Sequence, residues 1–327
     1  MPTANKIRSV LESKTKILLL FLVLGYTFEM NSQNEPSSTE VYFNRIEELI
    51  EQKNRYPIDF LDTNFLFMAK NKASGEKKVS ILLKLYTAFV FTSWETAKKY
   101  NDEACKLSVQ LNYKKGELQS NYNHAYLLFV KGDFEGSMLL AEKLSLLTEI
   151  ETYPEIYADI NTLKCDIYTE KGQYDIALEL GMKLLDSAEK SQNDHMLMKA
   201  NAALSHTYLR MGNFMAARDY CLKGLDYIIK LKRTEYIYPK INEIARMTAK
   251  LEGPEHAMQV MNFFSEIEQK IPPPGDYVRS ITYMIHADIF MAVGELDKAQ
   301  SNLTKALDMC FKNNFRFRIP RAFVQQA

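Results

Sequence analysis

Histidines and carboxylates are the residues of this sequence that could transfer protons or hold a metal ion. Two histidines, His124 and His286, each precede a small residue in a helical pattern, which favours a packing role. His195 and His256 lie near polar connectors or helix starts, and we expect them on the surface. Asp288, two residues after His286, cannot share its helix face. These positions therefore predict neither a metal site nor an acid–base pair.

The four cysteines also lack the spacing of a metal site or a redox motif. Cys105, Cys165, Cys221 and Cys310 lie far apart in helical patterns, and we expect them to be small buried side chains. The sequence has no phosphate-binding glycine loop, nucleophile elbow, His-Glu-x-x-His motif or calcium loop. We therefore expect a protein that is not an enzyme and binds neither a cofactor nor a metal.

Composition excludes several further classes. Of the 327 residues, 46% are hydrophobic, which suffices for a continuous core, and glycine and proline are scarce. Lysine and arginine together number 41, as do aspartate and glutamate. Because a nucleic-acid binder needs a basic face, we expect no nucleic acid to bind this segment.

The N-terminus has the pattern of a secretory signal. Lys14 and Lys16 precede the apolar residues 17–26, ILLLFLVLGY, and a more polar stretch follows. As a helix this run would rise about 15 Å, half of a hydrocarbon core of about 30 Å. Residues 1–33 therefore predict export to a periplasmic or membrane-associated location. The alternatives are an uncleaved anchor, or a first helix of a cytoplasmic protein. Cleavage near Ser32 would favour export.

The elements that position these residues repeat along the chain. Gly132, Gly172 and Gly212 are 40 residues apart, and each is followed by a polar residue and an aromatic residue. Gly294 begins a related turn. A small residue follows three positions after each aromatic, and its series has four steps of 40 residues and one of 42. The members are Ala97, Ser137, Ala177, Ala217, Ala257 and Ala299. A second small series runs upstream of the turns, at Ala125, Cys165, Ser205, Ala245 and Ala287.

This pattern predicts a helix, a tight turn and a second helix in each unit. Glycine ends the first helix in the left-handed conformation, and an Asp or Asn caps the second helix. The small residues mark the points where two helices cross. One such hairpin cannot bury its apolar face alone, so neighbouring hairpins must stack on it.

These features resemble the tetratricopeptide repeat family, in a long form of about 40 residues per unit. The resemblance covers residues 79–308 and implies an all-α fold, a right-handed superhelical solenoid of antiparallel helix pairs. Residues 34–78 are expected to form an irregular N-terminal helical hairpin. Residues 309–327 are interpreted as the start of a further, truncated repeat.

In this family the first helices line a concave groove that binds extended peptides or helices. The 40-residue phase places an aromatic, then an acidic, then a basic set in the groove. The set is Tyr122, Tyr126, Phe129, Asp159, Thr162, Asp166, Lys199, His206, Arg210, Asn242 and Arg246. The alternative for each residue is an ordinary solvated helix face.

The resemblance favours an exported, non-enzymatic scaffold with a protein or peptide ligand. Its organisation is similar to the sensor part of bacterial envelope regulators that contain these repeats. The alternative is a cytoplasmic, peptide-responsive regulator. Contact with a membrane is expected only through the N-terminus or through a C-terminal part missing from the sequence, and the oligomeric state stays open.

Overall fold

The computed structural model describes residues 38–55, 63–91, 93–147, 152–270, 274–315 and 318–319. Contacts divide the chain into residues 1–41 and 42–327, and every contact given below lies within the second unit. The described residues contain fourteen α-helices, and a short 3₁₀ helix, Thr234–Tyr236, precedes the eleventh. The α-helices are α1 (Ser38–Arg55), α2 (Thr63–Lys72), α3 (Gly75–Phe89), α4 (Trp94–Gln110), α5 (Lys114–Lys131), α6 (Phe134–Ser145), α7 (Pro154–Glu170), α8 (Tyr174–Ser191), α9 (Asp194–Met211), α10 (Phe214–Lys230), α11 (Ile237–Leu251), α12 (Pro254–Lys270), α13 (Asp276–Ala292) and α14 (Leu296–Asn313).

The helices from α3 to α14 form six consecutive hairpins, numbered 1 to 6, and each hairpin packs on its neighbours in the sequence. In the text below, the first helices are α3, α5, α7, α9, α11 and α13, and the second helices are their partners. The described residues contain no strand. The all-α fold of sequentially paired helices is therefore confirmed.

The turns within the hairpins follow from glycine and from side-chain caps. Gly132 and Gly212 have φ angles of 83° and 82°, a left-handed conformation that costs a residue with a Cβ about 1–2 kcal/mol. Asp133 then accepts a hydrogen bond from the backbone N–H of Gly136 at 2.9 Å. Asn213 does the same for Ala216 at 3.2 Å. Gly172 and Gly294 also have positive φ angles.

The small residues lie where the two helices of a hairpin cross. Ser137 Oγ donates to the carbonyl oxygen of Ala125 at 2.8 Å, and Ser205 Oγ donates to that of Ala217 at 3.0 Å. Such short links across the pair require the backbones to approach closely, which only small side chains allow. The second-helix residues of this series are all buried, namely Ala97, Ser137, Ala177, Ala217, Ala257 and Ala299.

The two helices of residues 34–78 contact different parts of the array. Phe43 of α1 stacks on Phe263 of α12, with ring centroids 4.2 Å apart, and Arg45 forms an ion pair with Asp226 of α10. In contrast, α2 packs on α3, and its Leu66 joins the apolar cluster that contains Leu82. The part of α1 that contains Phe43 and Arg45 thus lies on α10 and α12, the second helices of hairpins 4 and 5.

Hairpins from the two ends of the array also meet. The backbone N–H of Gly275, just before α13, donates to the carbonyl oxygen of Phe91 at 2.6 Å. Lys131 at the end of α5 donates to the carbonyl oxygen of Asn313 at 2.6 Å. Helix α14 extends past residue 308, and Phe315 beyond it is buried in a cluster with residues of hairpins 2 and 3. The first helices therefore line a common space.

The signal expected in residues 1–33 lies outside the described residues. Within the part of the chain that the structure describes, no helix combines the length and the hydropathy that crossing a bilayer requires.

Candidate functional site

This space is a cavity of about 680 Å³ that is partly open to solvent. Its wall comes from the first helices of all six hairpins, from residues between α10 and α11, and from Arg318. This arrangement follows from the hairpin packing, because the stripe of each first helix opposite its crossing residue faces away from the second helix. The polar residues on that stripe therefore converge on one volume.

All the groove residues predicted from the 40-residue phase line this cavity. Hairpin 2 contributes the aromatic residues, hairpin 3 the acidic residues, and hairpins 4 and 5 the amide and basic residues. The lining includes Tyr122, Tyr126, Phe129, Asp159, Thr162, Asp166, Lys199, His206, Arg210, Asn242 and Arg246. That they bind a partner stays a prediction.

The aromatic part of the wall is a continuous set of rings on α5. The ring centroid of Tyr126 lies 6.4 Å from that of Tyr122 and 6.1 Å from that of Phe129. Tyr86 of α3 donates a hydrogen bond to the backbone carbonyl of Asn123 at 3.4 Å. Burial raises the pKa of Tyr86, Tyr122 and Tyr126 well above the ordinary value, so these phenols stay neutral.

Asp159 is the centre of a buried charged cluster. Its Oδ1 lies 2.9 Å from Lys199 Nζ and 3.0 Å from His195 Nε2, and Lys199 also donates to the hydroxyl of Tyr236 at 3.0 Å. Burial alone would raise the pKa of Asp159, but the charge of Lys199 and the contacts of both partners hold it below its ordinary value. Burial would lower the pKa of Lys199, yet Asp159 and Tyr236 raise it.

Two histidine expectations are wrong. His195 lines the cavity as a partner of Asp159 and is not a surface residue, whereas His124 is exposed and does not fill a packing position. His195 was missed because it is the second residue of α9, next to a polar connector. The signal that could have found it is its separation of 36 residues from Asp159, close to one repeat.

A second charged cluster surrounds His206. Its Nδ1 lies 2.9 Å from Asp166 Oδ1, and its Nε2 lies 3.6 Å from Glu170, which also pairs with Arg210 at 3.9 Å. Burial would lower the pKa of His206, but the hydrogen bond that Asp166 accepts from it and the nearby carboxylates raise it. Lys240 pairs with Glu243 at 2.6 Å on the next first helix.

Among the described residues of the wall, Thr162, Arg210 and Arg246 have polar atoms without a partner. Thr162 Oγ1 and Arg210 Nε are buried and have no hydrogen-bond partner. Among the described residues, the guanidinium of Arg246 forms no ion pair and no hydrogen bond. Burial lowers the pKa of Arg246, although the charges of Asp288, Glu170 and Glu243 act in the opposite direction. The cavity wall therefore contains a hydroxyl and two cationic groups with capacity for a ligand.

The remaining polar groups show packing rather than chemistry. The ring of His286 meets Phe264 edge to face at 6.0 Å, and burial lowers the pKa of His286 to about 4. Asn242 donates to Thr282 Oγ1 at 3.0 Å, across hairpins 5 and 6. No group of three or more His, Cys, Asp or Glu side chains among the described residues is arranged to hold a metal ion.

Comparisons with known proteins identify the fold. The sequence matches no family model and no curated protein. A structure of a Signal Transduction ATPase with Numerous Domains protein with a tetratricopeptide repeat sensor, from Pyrococcus horikoshii, is similar with a TM-score of 0.53 and 16% identity. That match covers 89% of this chain and 43% of the other. The fold is tetratricopeptide-repeat-like.

A second structure, a tetratricopeptide repeat protein from Parabacteroides merdae, has a TM-score of 0.43 and 16% identity. The match covers 86% of this chain and 99% of the other. At these identities the likeness concerns the fold, and this chain spans less than half of the archaeal protein.

Proposed function

We propose that this chain is a non-enzymatic scaffold that binds a short peptide in the cavity lined by its first helices. In this proposal it serves as the ligand-recognising part of a sensor or regulator. The observation that carries the proposal is the cavity itself. It has about 680 Å³, and residues from all six hairpins converge on it. Pockets that bind small, drug-sized ligands have volumes of about 300 to 1,000 Å³.

The lining suits a ligand with both apolar and polar parts. The rings of Tyr122, Tyr126 and Phe129 offer stacking surface on one hairpin, and charged groups follow on the next three. Thr162 Oγ1 is buried without a hydrogen-bond partner. Because burying an unpaired hydroxyl costs about 1–3 kcal/mol, a ligand that supplies the partner gains affinity there. Backbone amides of a peptide supply such groups at regular intervals.

The charges on the wall favour binding over proton transfer. Lys199 and His195 hold the pKa of Asp159 below its ordinary value, and the pKa of Lys199 is raised. Both groups therefore keep their charges at neutral pH, whereas a general acid or base works best with a pKa near the operating pH. Fixed charges of this kind orient a ligand and do not exchange protons with it.

Contacts between the two ends of the array support a short ligand rather than a folded partner. The Gly275–Phe91 and Lys131–Asn313 hydrogen bonds link hairpin 6 to hairpins 1 and 2, and Phe91 also lines the cavity. A ligand that touches both sides would change the stability of these contacts, since it binds one arrangement better than the other. That coupling is the physical basis of the proposed sensor role, and the similar archaeal protein is described as having a tetratricopeptide repeat sensor.

The location of the protein is a separate proposal. The apolar run and the preceding lysines in residues 1–33 support export, and a cytoplasmic peptide-responsive regulator is the alternative. The cavity is compatible with either location, because the described residues that line it lie between Ser80 and Arg318.

The test is affinity selection from a library of tetrapeptides, followed by mass spectrometry of the retained peptides and calorimetry of each one. The variant Ala202→Trp places a large ring on the cavity wall, and Lys250→Trp places the same ring on the exposed face of α11. We expect the wild type and Lys250→Trp to retain the same peptides, and Ala202→Trp to lose them. Thermal unfolding checks that both variants fold.

Retention of the peptides by Ala202→Trp, with unchanged affinity, would place binding elsewhere and refute the cavity. Retention of no tetrapeptide by the wild type would also count against the proposal.

A further inference from the structure

We propose that Arg246 and Arg210 form an anion subsite in the cavity, and that this subsite takes a carboxylate of the ligand. The inference rests on the proposed function, since it names the chemical group that one end of the ligand must carry. It concerns the part of the cavity wall contributed by hairpins 4 and 5.

The first observation is the pattern of pairing on the wall. The other charged groups of the wall that are shielded from solvent each have a partner, and the charged lining residues Lys84, Lys115 and Glu155 are exposed. Asp159 is paired with Lys199, His206 with Asp166, and Lys240 with Glu243, all within 3.0 Å. The guanidinium of Arg246 has neither an ion pair nor a hydrogen bond among the described residues. Arg246 is partly buried, and an unpaired cation that is removed from water is costly, so the wall is incomplete at this point.

The second observation is independent of the first. Arg210, on the preceding first helix, uses its Nη2 in a long ion pair with Glu170 at 3.9 Å. Its Nε is buried and has no hydrogen-bond partner. Arg210 and Arg246 line the same cavity, and the carboxylate of Glu170 acts on both guanidinium groups. An Nε–H donor and a complete guanidinium therefore remain free to bind one anion.

The charge around this pair favours an anion as well. Arg318 also lines the cavity, where its Nη2 donates to the hydroxyl of Tyr277 at 2.8 Å. The charge of Asp166 and its hydrogen bond with His206 raise the pKa of His206, which favours the protonated form. The carboxylates of Asp166, Glu170 and Glu243 offset part of this positive charge, and Glu170 is already shared by His206 and Arg210.

A carboxylate fits these donors better than a spherical anion. Guanidinium presents parallel N–H donors in a planar fork that matches the two oxygens of a carboxylate. In a peptide the carboxylate comes either from the C-terminus or from an Asp or Glu side chain. Both sources share the same contact, and the experiment separates them.

The test compares each tetrapeptide retained by the protein in three forms: with a free C-terminal carboxylate, with a C-terminal amide, and with any Asp or Glu replaced by Asn or Gln. Calorimetry is done with the wild type, with Arg246→Gln and with Lys250→Gln. The last variant removes a positive charge from the exposed face of the same helix. Circular dichroism checks that the variants fold.

We expect the wild type to bind one neutralised form at least tenfold more weakly than the parent peptide. Loss with the amide assigns the C-terminus, and loss with Asn or Gln assigns the side chain. In Arg246→Gln the parent and neutralised peptides should bind within about twofold of each other, whereas Lys250→Gln should behave like the wild type. Equal binding of all three forms by the wild type would overturn the subsite while leaving the peptide site intact.

A further arm does not depend on peptides. Thermal unfolding is measured with sodium succinate and with sodium phosphate, each against sodium chloride at the same ionic strength. Succinate should raise the melting temperature of the wild type and of Lys250→Gln, but not that of Arg246→Gln. Stabilisation by phosphate alone, or succinate stabilisation that persists in Arg246→Gln, would refute the assignment of a carboxylate to this position.

Discussion

Replacement of Asp159 by Asn tests how the buried charges hold the cavity wall together. The side chain of Asp159 is only 10% exposed, and its carboxylate neutralises Lys199, which is 11% exposed. Asn keeps the size of the side chain but removes the charge, so Lys199 would remain buried without a counter-ion. Breaking a buried pair on one side costs about 3–5 kcal/mol. We expect the free energy of unfolding to fall by that amount.

The double variant Asp159→Asn/Lys199→Met identifies the cause of this loss. Removing both charges leaves no uncompensated ion, so the double variant should be more stable than the sum of the single variants predicts, by about 1–3 kcal/mol. A matched control is Asp186→Asn, because Asp186 and Lys190 form the same type of pair at 2.6 Å on an exposed helix face. That change should cost less than about 1 kcal/mol.

The assay is urea unfolding followed by circular dichroism at pH 7. Because repeat arrays can unfold in stages, the transition is also followed by the fluorescence of Trp94, the only tryptophan of the chain. Additive single and double variants, or a loss for Asp159→Asn no larger than that for Asp186→Asn, would refute the reasoning. The contribution of Asp159 should decline progressively as the pH falls from about 3.9 towards the folded pKa, which lies below that ordinary value.

Three further changes test other contacts. Lys131→Met removes a cation that lies 4.2 Å from the Trp94 ring and donates to Asn313, so it should cost about 1–3 kcal/mol and shift the Trp94 emission; unchanged emission would contradict this contact. Ala217→Leu should overpack a helix crossing and cost about 1–3 kcal/mol, against less than about 0.5 kcal/mol for the exposed Lys250→Ala, and equal melting temperatures would contradict the assigned crossing. His286 has a folded pKa of about 4 against about 6.5 when unfolded, so its protonation destabilises the fold as the pH falls between these values; His286→Gln should reduce that loss between pH 7 and pH 4.5, and an identical loss in both proteins would refute the assignment.

The sequence predicted the helical pairing because its signals are local. A glycine with positive φ, as at Gly132 and Gly212, and a small residue at a crossing depend on contacts within one hairpin. Their spacing also sets the rotation of each first helix about its own axis. The face opposite the crossing residue is then fixed, which is why residues such as Asp166 and Arg246 could be placed in the lining without knowledge of the whole array.

The contacts between distant hairpins could not be predicted in this way. The meeting of Gly275 with Phe91 depends on the small twist between successive hairpins, which accumulates over the array. The position of Phe43 on Phe263 depends on where the N-terminal helix finds an apolar surface. The 40-residue period of the sequence determines neither this twist nor the position of the N-terminal helix.

Side-chain pairs between adjacent first helices could have been predicted in part from the sequence. His206 and Asp166 are 40 residues apart, Thr169 and Thr207 are 38 apart, and His195 and Asp159 are 36 apart. A search for complementary side chains at separations near one period would have found the two His–Asp pairs. It was not sufficient to look at neighbours within one helix, because the polar contacts of the inner wall run from hairpin to hairpin.

The contacts that stabilise the fold are therefore different from the contacts that could recognise a ligand. Apolar side chains and small crossing residues between the helices hold the hairpins together, and they would do so whatever faced the cavity. Buried ion pairs such as Asp159–Lys199 are a poor means of stabilising a fold, since apolar residues of the same volume often serve as well or better. Their presence on the inner wall, together with Arg246, which has no partner among the residues that the structure describes, therefore fits selection for a ligand. Replacing the inner charges in complementary sets should change what binds while leaving the helical array folded.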